Sequence, residues 1–208
     1  LIGGAEIVED DKSIMQSIHS CVLSSKEGIE KLDKAINRLL VAQNPNLIII
    51  ETSGSCHPMP LVKYFKEHEL VKLTALLVLV DCLLMAHDFN YGENLIPIFK
   101  ENLKNDIRNT VNLLVEQILF CSHLILTKTD RIDEAKLPDI ATYVQEINPL
   151  ASTHAVRFGK LTLESLFELK DYNYFKVAKL FDEIRPFLEA EEHADRPYNL
   201  VTRVIKDD

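Results

Sequence analysis

The sequence predicts an α/β protein with a mostly parallel β-sheet flanked by helices. Three short apolar runs, at residues 47–50, 73–80 and 124–126, have the composition of buried strands. Stretches with the apolar spacing of helices lie between them. Strands that alternate with helices are typical of βαβ units, which build parallel sheets.

The helices are predicted from their start signals and their apolar periodicity. Ser25 is a candidate N-cap, and apolar residues then recur with helical spacing until about Gln43, where Asn44 and Pro45 end the pattern. Further helices are expected at residues 59–67, 109–120, 133–147 and 175–191, with a helical turn or two at 162–169. Short strands are expected at 5–8, 152–156 and 198–205, whereas residues 85–108 show no clear pattern.

The stretch LIIIETSGSCHPMP, residues 47–60, is the most informative part of the chain. A wholly apolar run here predicts a central parallel strand, buried on both faces, that ends at the ligand-binding edge of the sheet. Glu51 and the following hydroxyl side chains suit Mg²⁺ and its waters, and Gly54 lets a backbone N–H approach a phosphate. An ordinary strand followed by a turn explains this stretch equally well.

A second apolar run also ends in a polar loop. The stretch CSHLILTKTD, residues 121–130, contains the T/N-K-x-D pattern of guanine-nucleotide-binding proteins. Asp130 can accept hydrogen bonds from two neighbouring N–H groups of guanine, which adenine lacks in that arrangement. The stem of Lys128 can lie over the base.

Composition excludes several classes of protein. The chain has 208 residues, is 47% hydrophobic and carries a net charge of -9, so neither nucleic acid nor an anionic membrane is expected as its main partner. No apolar run in the sequence is long enough to span a membrane, and we expect no signal peptide. Four scattered cysteines are typical of a reduced, cytoplasmic protein.

Five ordered segments together resemble the CobW-like family of P-loop GTPases, which are described as metal chaperones. IIIETSG resembles the family's E-T-[ST]-G strand end, and Pro58 and Pro60 resemble its proline continuation. LVLVD, ending at Asp81, is similar to the V-V-D strand. Residues 116–130 are similar to the base-recognition segment, and residues 147–167 to the N-P-x-A segment and the tail after it.

The resemblance implies a P-loop-type fold, GTP and Mg²⁺ as ligands, and site residues at matching positions. Asp130 would select guanine, and Thr127 and Lys128 would complete the base-recognition loop. The loop around Gly159 would close over the base. Gly54 would sense the terminal phosphate, and Glu51 would act catalytically by orienting water. Residues 1–190 would form the nucleotide-binding domain, and residues 191–208 a hinge with the first strand of a smaller C-terminal domain.

One departure from the family pattern concerns the phosphate-binding loop. No G-x-x-x-x-G-K-[ST] occurs in the 208 residues, and the chain starts with Leu1. We expect this loop, and the first βα unit that carries it, to lie in an upstream segment. GTP hydrolysis is expected only if the full-length protein contains the loop.

A second departure concerns the metal motif. Where the family has C-x-C-C, this chain offers Cys21, with His19 two residues before it and Cys56 and His57 after the 47–50 run. These four side chains could form a Zn²⁺ or Co²⁺ site if they converge, because tetrahedral zinc needs about four such ligands. Buried structural cysteines and loop histidines are the simpler interpretation.

Two hypotheses for function therefore remain. The first is a slow GTPase that couples nucleotide state to metal delivery to a metalloprotein client. The second is a degenerate, non-hydrolysing relative that acts as a binding or scaffold module.

Overall fold

A computed structural model describes residues 25–107, 109–161, 172–174 and 177. The chain divides into two compact units, Leu1–Lys72 and Leu73–Asp208, and each is described by itself. No helix in the described ranges is both long and apolar enough to cross a membrane. The predicted segments 5–8, 162–169, 175–191 and 198–205, and the predicted domain boundary near residue 191, lie wholly or largely outside the described residues.

The first unit contains two helices, α1 (Lys26–Gln43) and α2 (Pro58–Glu67). Helix α1 begins as predicted at Ser25, whose side chain accepts a hydrogen bond from the Gly28 N–H at 3.0 Å. It ends at Asn44, which has a left-handed backbone with φ 46°. The Tyr64 hydroxyl of α2 donates to Asp33 Oδ1 of α1 at 2.9 Å and links the two helices.

The prediction of a buried central strand at residues 47–50 is wrong for this structure. These residues form no strand, and the side chains of Leu47 and Ile49 are 51% and 81% exposed. An apolar composition creates a preference for a strand, but the strand forms only beside a neighbour that supplies backbone hydrogen bonds. Among the described residues, the three strands that pair all belong to the second unit.

The second unit is built on a parallel sheet with strand order β1-β2-β3. Its strands are β1 (Leu77–Asp81), β2 (His123–Thr127) and β3 (Ser152–Ala155). Its helices are α3 (Cys82–Asp88), α4 (Leu95–Lys104), α5 (Thr110–Phe120) and α6 (Leu137–Ile147). The predicted α/β class, with a parallel sheet flanked by helices in the manner of P-loop NTPases, is confirmed.

Several boundaries differ from the prediction. The strand expected at 73–80 begins only at Leu77. It is buried on one face only, because residues two apart share a face: Leu77 and Leu79 are 38% and 69% exposed, whereas Val78 and Val80 are buried. The helix expected at 133–147 is divided into a 3₁₀ turn, Glu134–Lys136, and α6, whose second residue is Pro138. The unassigned residues 85–108 contain the end of α3, a 3₁₀ turn and α4.

The core of the second unit fixes where its strands end. Apolar side chains from β1, β2, α5 and α6 are almost completely buried, among them Val80, Ile118, Leu124, Leu126 and Ile140. Burial of such side chains is the main favourable term in folding. The carboxyl ends of the three strands are consequently held side by side.

Candidate functional site

Three loops meet at the carboxyl ends of β1, β2 and β3. Asp81, the last residue of β1, pairs with Thr127, the last residue of β2. Beyond β3, the Val156 N–H donates to the Leu126 carbonyl at 2.9 Å and continues the parallel pairing. This edge is where open α/β sheets bind ligands.

The Thr127–Asp130 loop is attached to both neighbouring strands. The Thr127 hydroxyl donates to the Val80 carbonyl at 3.1 Å, and the buried Thr129 hydroxyl donates to the Val156 carbonyl at 2.8 Å. Lys128, between them, has a left-handed backbone with φ 55°. The two threonines therefore hold the loop rigidly while the side chains of Lys128 and Asp130 remain partly exposed.

Lys128 forms an ion pair with Asp81, with Nζ and Oδ2 separated by 2.5 Å. The other carboxylate oxygen of Asp81 caps α3 by accepting from the N–H groups of Leu83 and Leu84. Partial burial alone would raise the pKa of Asp81, but the Lys128 ammonium and the two N–H groups outweigh it and lower that pKa.

Asp130 is held by the turn that follows β3. Its Oδ1 accepts a hydrogen bond from the Phe158 N–H at 3.1 Å. The turn is closed by the Lys160 N–H, which donates to the Arg157 carbonyl at 3.0 Å, and Phe158 and Gly159 both have positive φ angles, 52° and 67°. The structure thus places the turn that contains Gly159 beside Asp130, whereas closure of this loop over a base stays a prediction.

The second carboxylate oxygen of Asp130 accepts no hydrogen bond from the described residues. Within the described part of the chain, this carboxylate accepts a single hydrogen bond, which comes from the Phe158 N–H and goes to Oδ1. Asp130 is half-buried and lies just beyond the carboxyl end of β2. A carboxylate oriented in this way can accept hydrogen bonds from a flat ligand that presents N–H groups.

Glu51 and Gly54 belong to the first unit, and both are exposed. The Ser53 and Ser55 hydroxyls lie 2.9 Å apart, and the Cys56 N–H donates to the Ser53 carbonyl at 3.0 Å, so the segment folds into a turn just before α2. An added Cβ at Gly54 would meet no atom within 4 Å, which leaves room for a ligand beside that backbone. Whether these two residues share one site with Asp130 remains a prediction.

The predicted metal ligands are only partly described. Cys56 is buried, with its Sγ 3.7 Å from the His57 carbonyl, whereas His19 and Cys21 fall outside the described residues. No group of three or more metal-ligating side chains occurs within residues 25–107 and 109–161 or the four described residues beyond them. The metal site stays a prediction.

Two other cysteines are core residues. Cys82 and Cys121 are buried in the second unit, and burial raises the pKa of their thiols to about 11 and about 12. A thiol must lose its proton to bind a metal, so neither side chain is suited to that role in this environment.

Sequence reasoning did not find two contacts at or near the sheet. Phe158 acts on Asp130 through its backbone N–H, for which no side-chain signal exists. His123 and His154 lie on adjacent strands with ring nitrogens 3.4 Å apart, a pairing that becomes visible only once the strand register is known. Burial and the neighbouring His154 lower the pKa of His123.

Comparisons with known proteins agree with this geometry. A parallel α/β sheet with polar loops gathered at its carboxyl edge defines an α/β protein of the kind that binds ligands at this edge. A family model described as CobW/HypB/UreG, nucleotide-binding domain, matches residues 5–155, which is most of the chain. The chain belongs to this family.

One curated relative is Zinc-regulated GTPase metalloprotein activator 1 of Dictyostelium discoideum. It is 25% identical to this chain over 173 residues, which cover 76% of this chain and 36% of the relative. The chain thus spans about a third of that relative's length. No solved structure matches the present chain significantly.

Proposed function

We propose that this chain is the guanine-recognising part of a protein that binds GTP with Mg²⁺ and hydrolyses it slowly. The observation that supports this most directly is the geometry of Asp130. Its carboxylate follows β2 in a T-K-T-D loop and is half-buried. The Phe158 N–H fixes it through Oδ1, and the described residues place no hydrogen bond on Oδ2. Family membership adds a nucleotide-binding role for the domain as a whole.

The chemistry of guanine fits this carboxylate. Guanine presents a ring N–H and an amino group side by side, and an ionised carboxylate is an acceptor without donors of its own. Adenine cannot offer that pair of donors, so it would leave a polar group of the protein unpaired, which is costly. Lys128, anchored at Asp81, would place its stem against one face of the base.

We propose that Glu51 and Gly54 act at the phosphate end of the bound nucleotide. Gly54 would bring a backbone N–H to the terminal phosphate, and Glu51 would orient the attacking water or a water on the cation. The carboxylate and hydroxyl groups of residues 51–53 are the type of ligand that Mg²⁺ takes, with phosphates and waters completing its shell. When bound, Mg²⁺ would neutralise charge on the phosphates.

A metal-related role rests on the relative's name and on the family. We propose that nucleotide state alters a surface near residues 18–25 and 55–60, and that this surface serves a metalloprotein client. Zn²⁺ or Co²⁺ would be the cargo, with His19, Cys21, Cys56 and His57 as its candidate ligands. Ordering of a segment by a bound nucleotide is a common form of such a switch.

Nucleotide binding by the full-length protein tests the proposal. With Mg²⁺ present, we expect calorimetry to show tight binding of GTP, weak binding of ATP, and loss of GTP binding in the Asp130→Ala variant. Asp139→Ala, which removes an exposed carboxylate on α6, is the matched control and should bind GTP normally. Failure of the wild-type protein to bind GTP would overturn the proposal.

The alternative is a non-hydrolysing binding or scaffold module. It is favoured by one feature, which is that the 208 residues contain no glycine-rich loop with the Lys-Ser/Thr pair that cradles phosphates. Single-turnover release of phosphate from bound GTP separates the two functions. Guanine-selective binding without any release would support the alternative.

A further inference from the structure

Phe158 is an exposed aromatic residue in the turn that holds Asp130. Its side chain is 76% exposed, and its backbone has a φ of 52°. A left-handed backbone is unfavourable for a residue with a Cβ, and glycine is the usual choice there, as at Gly159 next to it. A large apolar ring kept in water on a strained backbone is the kind of outlier that marks a functional position.

The ring is attached close to the carboxylate that would hold the base. The Phe158 nitrogen lies 3.1 Å from Asp130 Oδ1. Adding the N–Cα bond of about 1.5 Å places the Phe158 Cα within about 4.6 Å of that oxygen. A flat base bound by the neighbouring Oδ2 would therefore extend over the space that the Phe158 side chain can reach.

We propose that the Phe158 ring stacks on the face of the bound purine and supplies affinity, whereas Asp130 supplies selectivity. This inference rests on the proposed function. Stacking between aromatic side chains and bases is favourable for every base, because each has a π-face. The Lys128 stem, held by Asp81 on the β1 side of the loop, would cover the opposite face of the base.

The separate contributions of ring and carboxylate give a distinctive pattern of affinities. In the full-length protein, Phe158→Ala should weaken GTP and GDP binding about 10-fold without changing the preference for GTP over ATP. Alanine is chosen because glycine would also relax the backbone. Phe158→Tyr should bind like the wild type, and so should Leu150→Ala, which shortens an exposed side chain before β3.

A fluorescence experiment reports on the contact itself. The 208 residues contain no tryptophan, so Phe158→Trp introduces a probe at the proposed contact. Saturating GTP should quench its emission by stacking, whereas Leu150→Trp should show no change. Urea midpoints of both variants, compared with the wild type, establish that they are folded.

The outcomes separate this inference from the proposed function. If Asp130→Ala loses GTP binding but Phe158→Ala keeps wild-type affinity and Phe158→Trp is not quenched, stacking is refuted and guanine recognition stands. If the wild-type protein binds no guanine nucleotide, both are overturned. Weaker binding in Phe158→Ala together with quenching in Phe158→Trp supports the ring as part of the site.

Discussion

Asp81 and Lys128 are 47 positions apart in the chain, yet they form one unit at the edge of the sheet. Parallel pairing of β1 with β2 brings Asp81 beside Thr127, and the left-handed backbone of Lys128 turns its side chain back toward Asp81. The carboxylate thus caps α3 and fixes the lysine at the same time. Through this pair the stability of the site depends on pH.

The lowered pKa of Asp81 gives the sign of that dependence. A carboxyl with a lower pKa in the folded than in the unfolded chain stabilises the fold fully above its unfolded pKa, near 3.8. This contribution is lost as the pH falls through the folded pKa. We expect Asp81→Asn to lower the free energy of unfolding at neutral pH, and the difference from wild type to shrink below about pH 4.

Urea unfolding of wild type and variant between about pH 3 and about pH 7 measures this difference. Asp139→Asn is the control, because Asp139 pairs with Lys136 in an exposed position and such pairs contribute little. A difference between Asp81→Asn and wild type that stays constant over the whole range would contradict the assignment.

Among the elements, one buried side chain joins two helix-to-strand connections. Asn148 follows α6 and is 1% exposed. Its Nδ2 donates to the carbonyls of Ile118 and Cys121, each at 2.9 Å, and its Oδ1 accepts from the Leu150 N–H. The asparagine therefore fixes the end of α5 and the turn before β3 in one arrangement, and so determines how β2 and β3 enter the sheet.

Removal of this amide should be costly. Asn148→Ala removes the side-chain donor to the Leu119 and Cys121 carbonyls and one of the donors to the Ile118 carbonyl, and we expect it to lower the free energy of unfolding by about 2–4 kcal/mol. Asn148→Asp should cost more, because it places a carboxylate against carbonyl oxygens. Gln145→Ala, on the exposed side of α6, should stay within about 0.5 kcal/mol of the wild type.

Urea denaturation of the three variants and the wild type measures these values. If Asn148→Ala proves as stable as Gln145→Ala, the asparagine does not organise the sheet.

Among the elements, features that depend on nearby residues, such as helix caps, were predictable from the sequence. Features that depend on distant residues, such as strand pairing, were not. The cap at Ser25 is found as the sequence indicated, because a cap depends on residues only a few positions away. The strand expected at 47–50 is absent, because strand formation needs a partner that composition does not specify. The Asn148 network is equally invisible in sequence, since its partners are 27–30 positions away.

For the molecule as a whole, the sequence and the structure converge on a nucleotide-binding domain of the CobW/HypB/UreG family. The polar groups at the strand ends were predictable because parallel strands end at one edge. The contact between Asp130 and Phe158 was not, because it depends on the backbone of a turn 28 residues away. Glu51 and Gly54 lie in the other unit, so their part in the site rests on the resemblance.

The preference for guanine over xanthine nucleotides in the Asp130→Asn variant tests the central claim most directly. An amide keeps an acceptor for the Phe158 N–H but presents a donor at the Oδ2 position, where xanthine offers a carbonyl in place of guanine's amino group. We predict that the full-length variant loses affinity for GTP by about 10-fold or more and binds XTP better than the wild type does. An unchanged ratio of GTP to XTP affinity would contradict recognition of the base by Asp130.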